Sequence, residues 1–204
     1  MMEIRDYSLP ASFISISCIA SILTAVIFDF IMTAGRKTNR IKRTPIETVT
    51  MALFCTGIYL LLRFQAGYIM ISNHALSGAL TIAGLLLMIT GTAFNLTGRI
   101  NLGRYWSNQI RIYEKQEIVS RGLYKYVRHP LYSSLVMIII GAAIAYHNWL
   151  ALLSAITVFL PMMFARARQE EAFLVSNSED YKIYMKMTGM FLPGIRKREK
   201  YGCK

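Results

Sequence analysis

The sequence is short of charge. Only 17% of its 204 residues are Asp, Glu, Lys or Arg, where a soluble domain carries about 25%. Apolar residues supply 54%, so a water-facing globular surface is excluded and a membrane composition takes its place. Acids are the scarcer sign, 11 against 23 Lys and Arg, which leaves a formal charge of +12. The excess does not point to nucleic acid, because the basic residues lie between apolar runs and no basic face is left once the loops are counted. Cysteine is also scarce. Cys18 and Cys55 fall inside apolar runs and Cys203 is next to last, which excludes a disulfide framework, a zinc site and a C-terminal prenylation box. The first apolar run lacks a basic leader and a small-residue cleavage site, so it reads as a retained helix. There is no internal repeat.

What is present is a series of five apolar stretches, at about 11–34, 46–71, 75–98, 132–146 and 149–165. The first three supply the roughly 20 residues that cross about 30 Å of hydrocarbon. The last two are shorter, with the tight link "YHNWL" between them, and read as an antiparallel hairpin. Pro161 in the fifth removes a backbone donor. Gly84 and Gly91 in the third, with Ala83 and Ala93, mark close helix packing. Arg63 lies near the outer end of the second run, where its side chain can snorkel. Asp29 lies near the inner end of the first and can meet a loop cation there.

Loop charge sets the orientation. Residues 36–43, "RKTNRIKR", hold five cations and no acid, and residues 99–128 hold seven Lys or Arg against two Glu. The tail after Arg166 is basic too, while the intervening links carry almost no positive charge. Alternate loops are therefore cytoplasmic. The expected fold is an all-α integral membrane protein with five transmembrane helices, N-outside and C-inside. Its last two helices form a tight hairpin beside a cytoplasmic pocket. Residues 1–98 form a three-helix transmembrane part and residues 99–204 a catalytic part.

The chemistry-bearing residues gather on the inner side. The segment from Asn101 to Tyr132 is too long to be a plain connection, and too rich in Trp, Tyr and Ile to be disordered. It ends in "SRGLYKYVRHPLY", with three cations and three tyrosines around one His-Pro step. Beyond the fifth run, Arg166 and Glu170 stand four residues apart, so a continuing helix puts them on one face.

Together these segments resemble a family of integral-membrane methyltransferases. It includes isoprenylcysteine carboxyl methyltransferase and the phospholipid N-methyltransferases. The resemblance rests on Gly122-x-Tyr124 and Arg128-His129-Pro130-x-Tyr132, then a membrane hairpin. Arg166-x-x-x-Glu170-Glu171-x-x-Leu174 and the pair Tyr181 and Tyr184 complete it. "LGRYWS" upstream and "TGMFLP" in the tail fit as well, so about residues 100–195 take part.

The resemblance implies S-adenosylmethionine (AdoMet) as methyl donor. Residue by residue, it implies donor contacts at Gln116, Glu117, Ile118, Val119, Tyr124, His129, Pro130, Leu131, Tyr132 and Glu170, with Gln109 added by position. Arg166 would face the acceptor as the catalytic and substrate-binding residue. The implied partners are a lipidic or prenylated small-molecule substrate and the bilayer itself. No nucleic acid and no metal are implied.

The residue types suit that chemistry. A carboxylate in a partly dry site, Glu170, makes a charge-assisted hydrogen bond to an ammonium. Tyrosine rings attract a sulfonium, and tyrosine is equally at home as an interfacial anchor. His129 can offer a ring nitrogen or cap the helix that follows, and Pro130 suits that helix's first turn. Three functions stay open: carboxyl methylation of a prenylcysteine-like acceptor, N-methylation of a phospholipid amine, and a non-catalytic lipid-binding module. A glycine-rich dinucleotide fingerprint after a strand is missing, which removes the sequence signature of a nicotinamide reductase.

Overall fold

The computed structural model describes residues 9–33, 39–40, 45–103, 111–112 and 118–194. Seven helices, α1 Leu9–Thr33, α2 Pro45–Arg63, α3 His74–Leu102, α4 Pro130–Ala145, α5 Trp149–Ser154, α6 Leu160–Asn177 and α7 Glu179–Met187, carry the fold. A 3₁₀ turn at Gly122–Lys125 leads towards α4, and a π-helical turn at Ala155–Phe159 joins α5 to α6. The helical expectation holds but for one short antiparallel pair, β1 Asn39–Arg40 with β2 Arg111–Ile112.

Among the described residues, three stretches are long and apolar enough to cross a membrane: Pro10–Phe28, His74–Leu102 and Trp149–Ser176. Leu53–Arg63 and Pro130–Ala145 are shorter apolar helices. Large side chains such as Phe13, Ile82, Leu86 and Ile156 point outward, as they do on a surface solvated by lipid. This is a multi-pass integral membrane protein.

The second apolar run yields a shorter helix than its composition predicts. α2 stops at Arg63 because the next residues turn: Gln65 has φ 55° and Gly67 φ 84°. A Cβ on Gly67 would lie 2.5 Å from Leu150 Cγ, so the turn needs glycine for room as well as for its dihedral. Asn148 fastens this turn to the hairpin. Its Oδ1 accepts from the Ala151 N–H (2.9 Å), and its Nδ2 donates to the carbonyls of Leu61 (3.1 Å) and Ala66 (3.0 Å).

α3 packs along α4 at backbone distance, and small residues make this possible. A Cβ on Gly84 would sit 2.4 Å from the Ala145 nitrogen and 2.5 Å from the Gly141 oxygen. Gly91 meets the Ser134 carbonyl and Ile138 in the same way. The predicted small-residue stripe is thus a helix contact. A polar ladder closes the contact at the C-terminal end of α3: Arg99 Nε donates to Asn95 Oδ1 (2.8 Å), and Asn95 Nδ2 to Ser134 Oγ (2.8 Å).

The hairpin's return limb runs unbroken through α5, the π turn and α6. Pro161 has no N–H to offer the Thr157 carbonyl, and the wide turn sits immediately before it, closed by the Leu160 N–H donating to the Ala155 carbonyl. Ala155, Phe159, Met163, Ala167 and Glu171 are buried at a strict spacing of four. In a plain α-helix that spacing drifts by about 40° per step. The π turn winds back part of the drift and keeps one stripe on the core for its whole length. α7 then folds back with Tyr181 and Tyr184 buried.

Candidate active site

The start of α4 is held by the chain's last described segment. The Arg128 N–H donates to the Gly189 carbonyl (2.8 Å) and the His129 N–H to the Met190 carbonyl (3.0 Å). Ser133 Oγ donates to the Phe191 carbonyl (2.8 Å). The Arg128 side chain completes the strap. It donates to the carbonyls of Met185 (3.0 Å) and Thr188, and its Nε to Glu171 Oε1 (2.6 Å). This ion pair is buried, with side chains 9% and 7% exposed.

On this frame α4 and α6 bring four of the predicted residues together. Tyr132 lies one turn into α4, and its hydroxyl donates to Glu170 Oε1 (2.5 Å) while accepting from Arg166 Nε (2.9 Å). The Arg166 guanidinium carbon lies 5.7 Å from the centroid of the Tyr132 ring. His129 stacks on Tyr132, with centroids 5.5 Å apart and planes 9° from parallel. Its two ring nitrogens face two carboxylates: Nδ1 is 3.6 Å from Glu170 Oε2, and Nε2 is 3.1 Å from Glu171 Oε1. His129 occupies the N-cap of α4 but its side chain makes no capping bond. Pro130 stands first in the helix and is buried, and Leu131 beside it is half-buried.

Tyr124 approaches from the 3₁₀ turn. Its carbonyl accepts from the Tyr184 hydroxyl at 2.5 Å, so α7 fixes the turn that carries it. Burial pushes the Tyr124 hydroxyl above its usual range; Tyr184 and Glu170 add to this and Arg99 opposes it. Tyr124 is therefore within electrostatic reach of both the Glu170 carboxylate and the polar end of α3. Burial likewise pushes the Tyr184 hydroxyl up to about 12.

Ile118 and Val119 are half-buried coil. Gln116, Glu117 and Gln109 lie outside the described residues, as does the side chain of Asp29. Three participants had no role in the sequence reading: Glu171, Arg128 and the polar ladder of α3. The first two stand inside the matched motif, next to residues that had roles. Asn95 gave no signal, being one amide in a long apolar run.

A cavity of about 510 Å³ lies away from this cluster, between α2 and the π turn, and is lined by Phe54, Gly57, Ile58, Leu61, Ser154 and Val158 among others. Ser154 and Val158 continue, at spacings of four, the line of Met162, Arg166 and Glu170 on the same limb. An apolar groove thus begins two turns below Arg166.

A family model described as phospholipid methyltransferase matches residues 79–180, half of the chain. Among solved structures, the chain is similar to a eukaryotic intramembrane Ras methyltransferase, isoprenylcysteine carboxyl methyltransferase. The TM-score is 0.56 at 19% identity, over 89% of this chain and 68% of that one. That likeness speaks for the fold. No curated protein sequence gives a significant match.

Proposed function

Because the chain belongs to the phospholipid methyltransferase family and is a membrane methyltransferase, we propose that it moves a methyl group from AdoMet to the carboxylate of a lipidic acceptor. A prenylcysteine-like molecule is the model acceptor, and the reaction takes place at the inner face of the membrane. In this reading α2 and α4 also cross, which gives five spans with the N-terminus outside and the site towards the cytoplasm.

The observation that carries it is the Arg166–Tyr132–Glu170 contact, a cation and an anion joined through one hydroxyl. The two charges suit the two ligands. Glu170, with its side chain 23% exposed, can take the donor's ammonium. Tyr124 and Tyr132 offer rings to its sulfonium, His129 a ring nitrogen, and Ile118 and Val119 backbone groups. Pro130 and Leu131 shape the wall, and Gln116 and Glu117 belong to the same loop. AdoMet supplies an activated methyl on a positive sulfur. The residues present fit such a donor.

Arg166 serves the acceptor. Only its Nε is engaged, so among the described residues its terminal nitrogens make no hydrogen bond. They match a carboxylate's two oxygens. A carboxylate is ionised at neutral pH and needs no general base, only alignment. Tyr132 fixes the Nε edge of the guanidinium and so its plane. Removing water from the site favours attack of an anion on a cation, whose charges cancel as they meet. The acceptor's hydrocarbon tail has a route in the groove that starts at Val158.

The family's own name supports an amine of a phospholipid as the competing acceptor. A labelled-donor assay on the detergent-purified protein separates the two. Prenylcysteine analogue, free fatty acid and phosphatidylethanolamine are offered in parallel. The carboxylate reading expects an alkali-labile methyl ester on the first two. Alkali-stable label on phosphatidylethanolamine alone would replace it with the amine reading.

A further inference from the structure

The groove between α2 and the return limb has two ends. At one, Phe54 stacks on Phe159 with centroids 5.0 Å apart. At the other, Ala66 lines it from the turn that follows α2, and Asn148 Nδ2 holds the Ala66 carbonyl at 3.0 Å. The turn that stops α2 thus also ends the groove. Its wall is apolar. The one hydroxyl, on Ser154, donates to the Leu150 carbonyl of its own helix.

Gly57 stands between these ends. A glycine inside a helix costs stability relative to alanine, so it needs a reason. Gly84 and Gly91 have one, since α4 fills the place of their Cβ atoms. At Gly57 a Cβ meets nothing within 4 Å among the described residues, although the residue is half-buried in the groove wall. Gly78 also meets nothing, but it is exposed on the surface of α3. The space that Gly57 leaves is the groove itself.

The groove is continuous with the α4–α6 cluster along one flank of the limb. Ala155, Phe159, Met163 and Ala167 keep one stripe against the core. The residues one position earlier, Ser154, Val158, Met162 and Arg166, therefore share the flank beside it. Val158 is eight residues from Arg166, about 12 Å along the axis. Phe54 lies at that level, and Gly57 is most of a turn further, so it stands about 16 Å from Arg166 along the limb. The hydrocarbon of one leaflet is about 15 Å deep. A lipid whose head group sits at Arg166 has its tail along this line.

We propose that the groove is the tail site of the methyl acceptor and that Gly57 determines how long a tail it takes. The occupant is a single hydrocarbon chain. A chain too short to span the distance from Arg166 never meets Gly57. A longer one passes it and runs towards the turn at Ala66. The inference deepens the carboxylate-acceptor reading above and rests on it.

The test measures methyl transfer from labelled AdoMet to octanoate and to palmitate, as kcat/KM, by the full chain reconstituted in phospholipid nanodiscs. Octanoate is too short to reach Gly57 and palmitate is long enough. Gly57→Leu is expected to lower the ratio of palmitate to octanoate turnover about tenfold, the effect of barring about two methylenes from an apolar site. Its unfolding temperature should be equal to or above that of wild type, because leucine is the better helix former. Val158→Phe fills the groove from the facing wall and should lower the ratio in the same direction. A ratio unchanged in both variants would give the groove to an ordinary bilayer lipid and overturn the proposal. So would an equal loss for the two acids, which is what a displaced helix gives. If wild type methylates neither acid, the carboxylate reading itself fails and takes this inference with it.

Discussion

The Tyr132 hydroxyl stands between Arg166 and Glu170, accepting from one at 2.9 Å and donating to the other at 2.5 Å. A direct pair between cation and anion would neutralise both. With the phenol interposed, the guanidinium keeps its terminal edge and the carboxylate its second oxygen, so each charge stays available to a different ligand.

Tyr132→Phe removes the bridge and keeps the ring. Donor affinity is expected to fall about tenfold or more, the range for losing a hydrogen bond to a charged group. Tyr132→Leu, which also removes the π-face, should bind more weakly still. Calorimetric titration of AdoMet against both variants checks the order; equal affinity for Phe and Leu would remove the ring from the account.

Glu171→Gln strikes a different place. Glu171 answers both Arg128 (2.6 Å) and His129 (3.1 Å) in the interior. Removing its charge leaves Arg128 buried and uncompensated, at a cost of about 3 kcal/mol or more. Glu179→Gln is the control. Its pair with Lys182 spans 2.7 Å between exposed side chains and should be close to neutral. Thermal unfolding in detergent should separate the two clearly.

Two glycines on α3 should respond with opposite sign. A Cβ on Gly84 would press into the backbone of α4, whereas one on Gly78 meets nothing within 4 Å. Gly84→Ala should destabilise the protein by forcing α3 and α4 apart. Gly78→Ala should stabilise it by about 1 kcal/mol through helix propensity. Unfolding temperatures of the two variants in one detergent decide it.

High pH should release α7. The Tyr184 hydroxyl donates to the Tyr124 carbonyl and loses its proton only at about 12 when folded, against about 10 when unfolded. The folded state therefore holds the proton longer. Its contribution to stability is complete below about pH 10 and is lost as pH rises towards the folded value. Tyr184→Phe should remove that part of the alkaline slope, read by unfolding curves across the range. An unchanged slope would place the loss elsewhere, in Tyr124 or Tyr181.

How much of this was legible in the sequence follows from distance along the chain. Apolar runs, the small-residue stripe through Gly84, and the i,i+4 relation of Arg166 and Glu170 are local patterns, and the structure reproduces them. The α2 terminus at Arg63 was missed because apolar Phe64 and Ile69 to Ile71 extend the run, while the turn is imposed by Leu150, far along the chain. The convergence of His129, Tyr132 and Glu170 came through a family resemblance. Hydropathy alone cannot say which face of α6 meets α4. The strap from Gly189 to Phe191 lies in the "TGMFLP" tail that the resemblance picked out, but it offers α4 only backbone carbonyls, so its side chains do not say what it binds.

The most direct measurement is the equilibrium affinity of AdoMet for the detergent-purified full chain, wild type beside Glu170→Gln and Arg166→Ala. The account expects measurable binding by wild type and a loss of at least tenfold for Glu170→Gln. Arg166→Ala should hold the donor nearly as well while failing in methyl transfer to a carboxylate acceptor. Wild-type-like AdoMet affinity in Glu170→Gln would contradict the assignment of the α4–α6 cluster as the donor site.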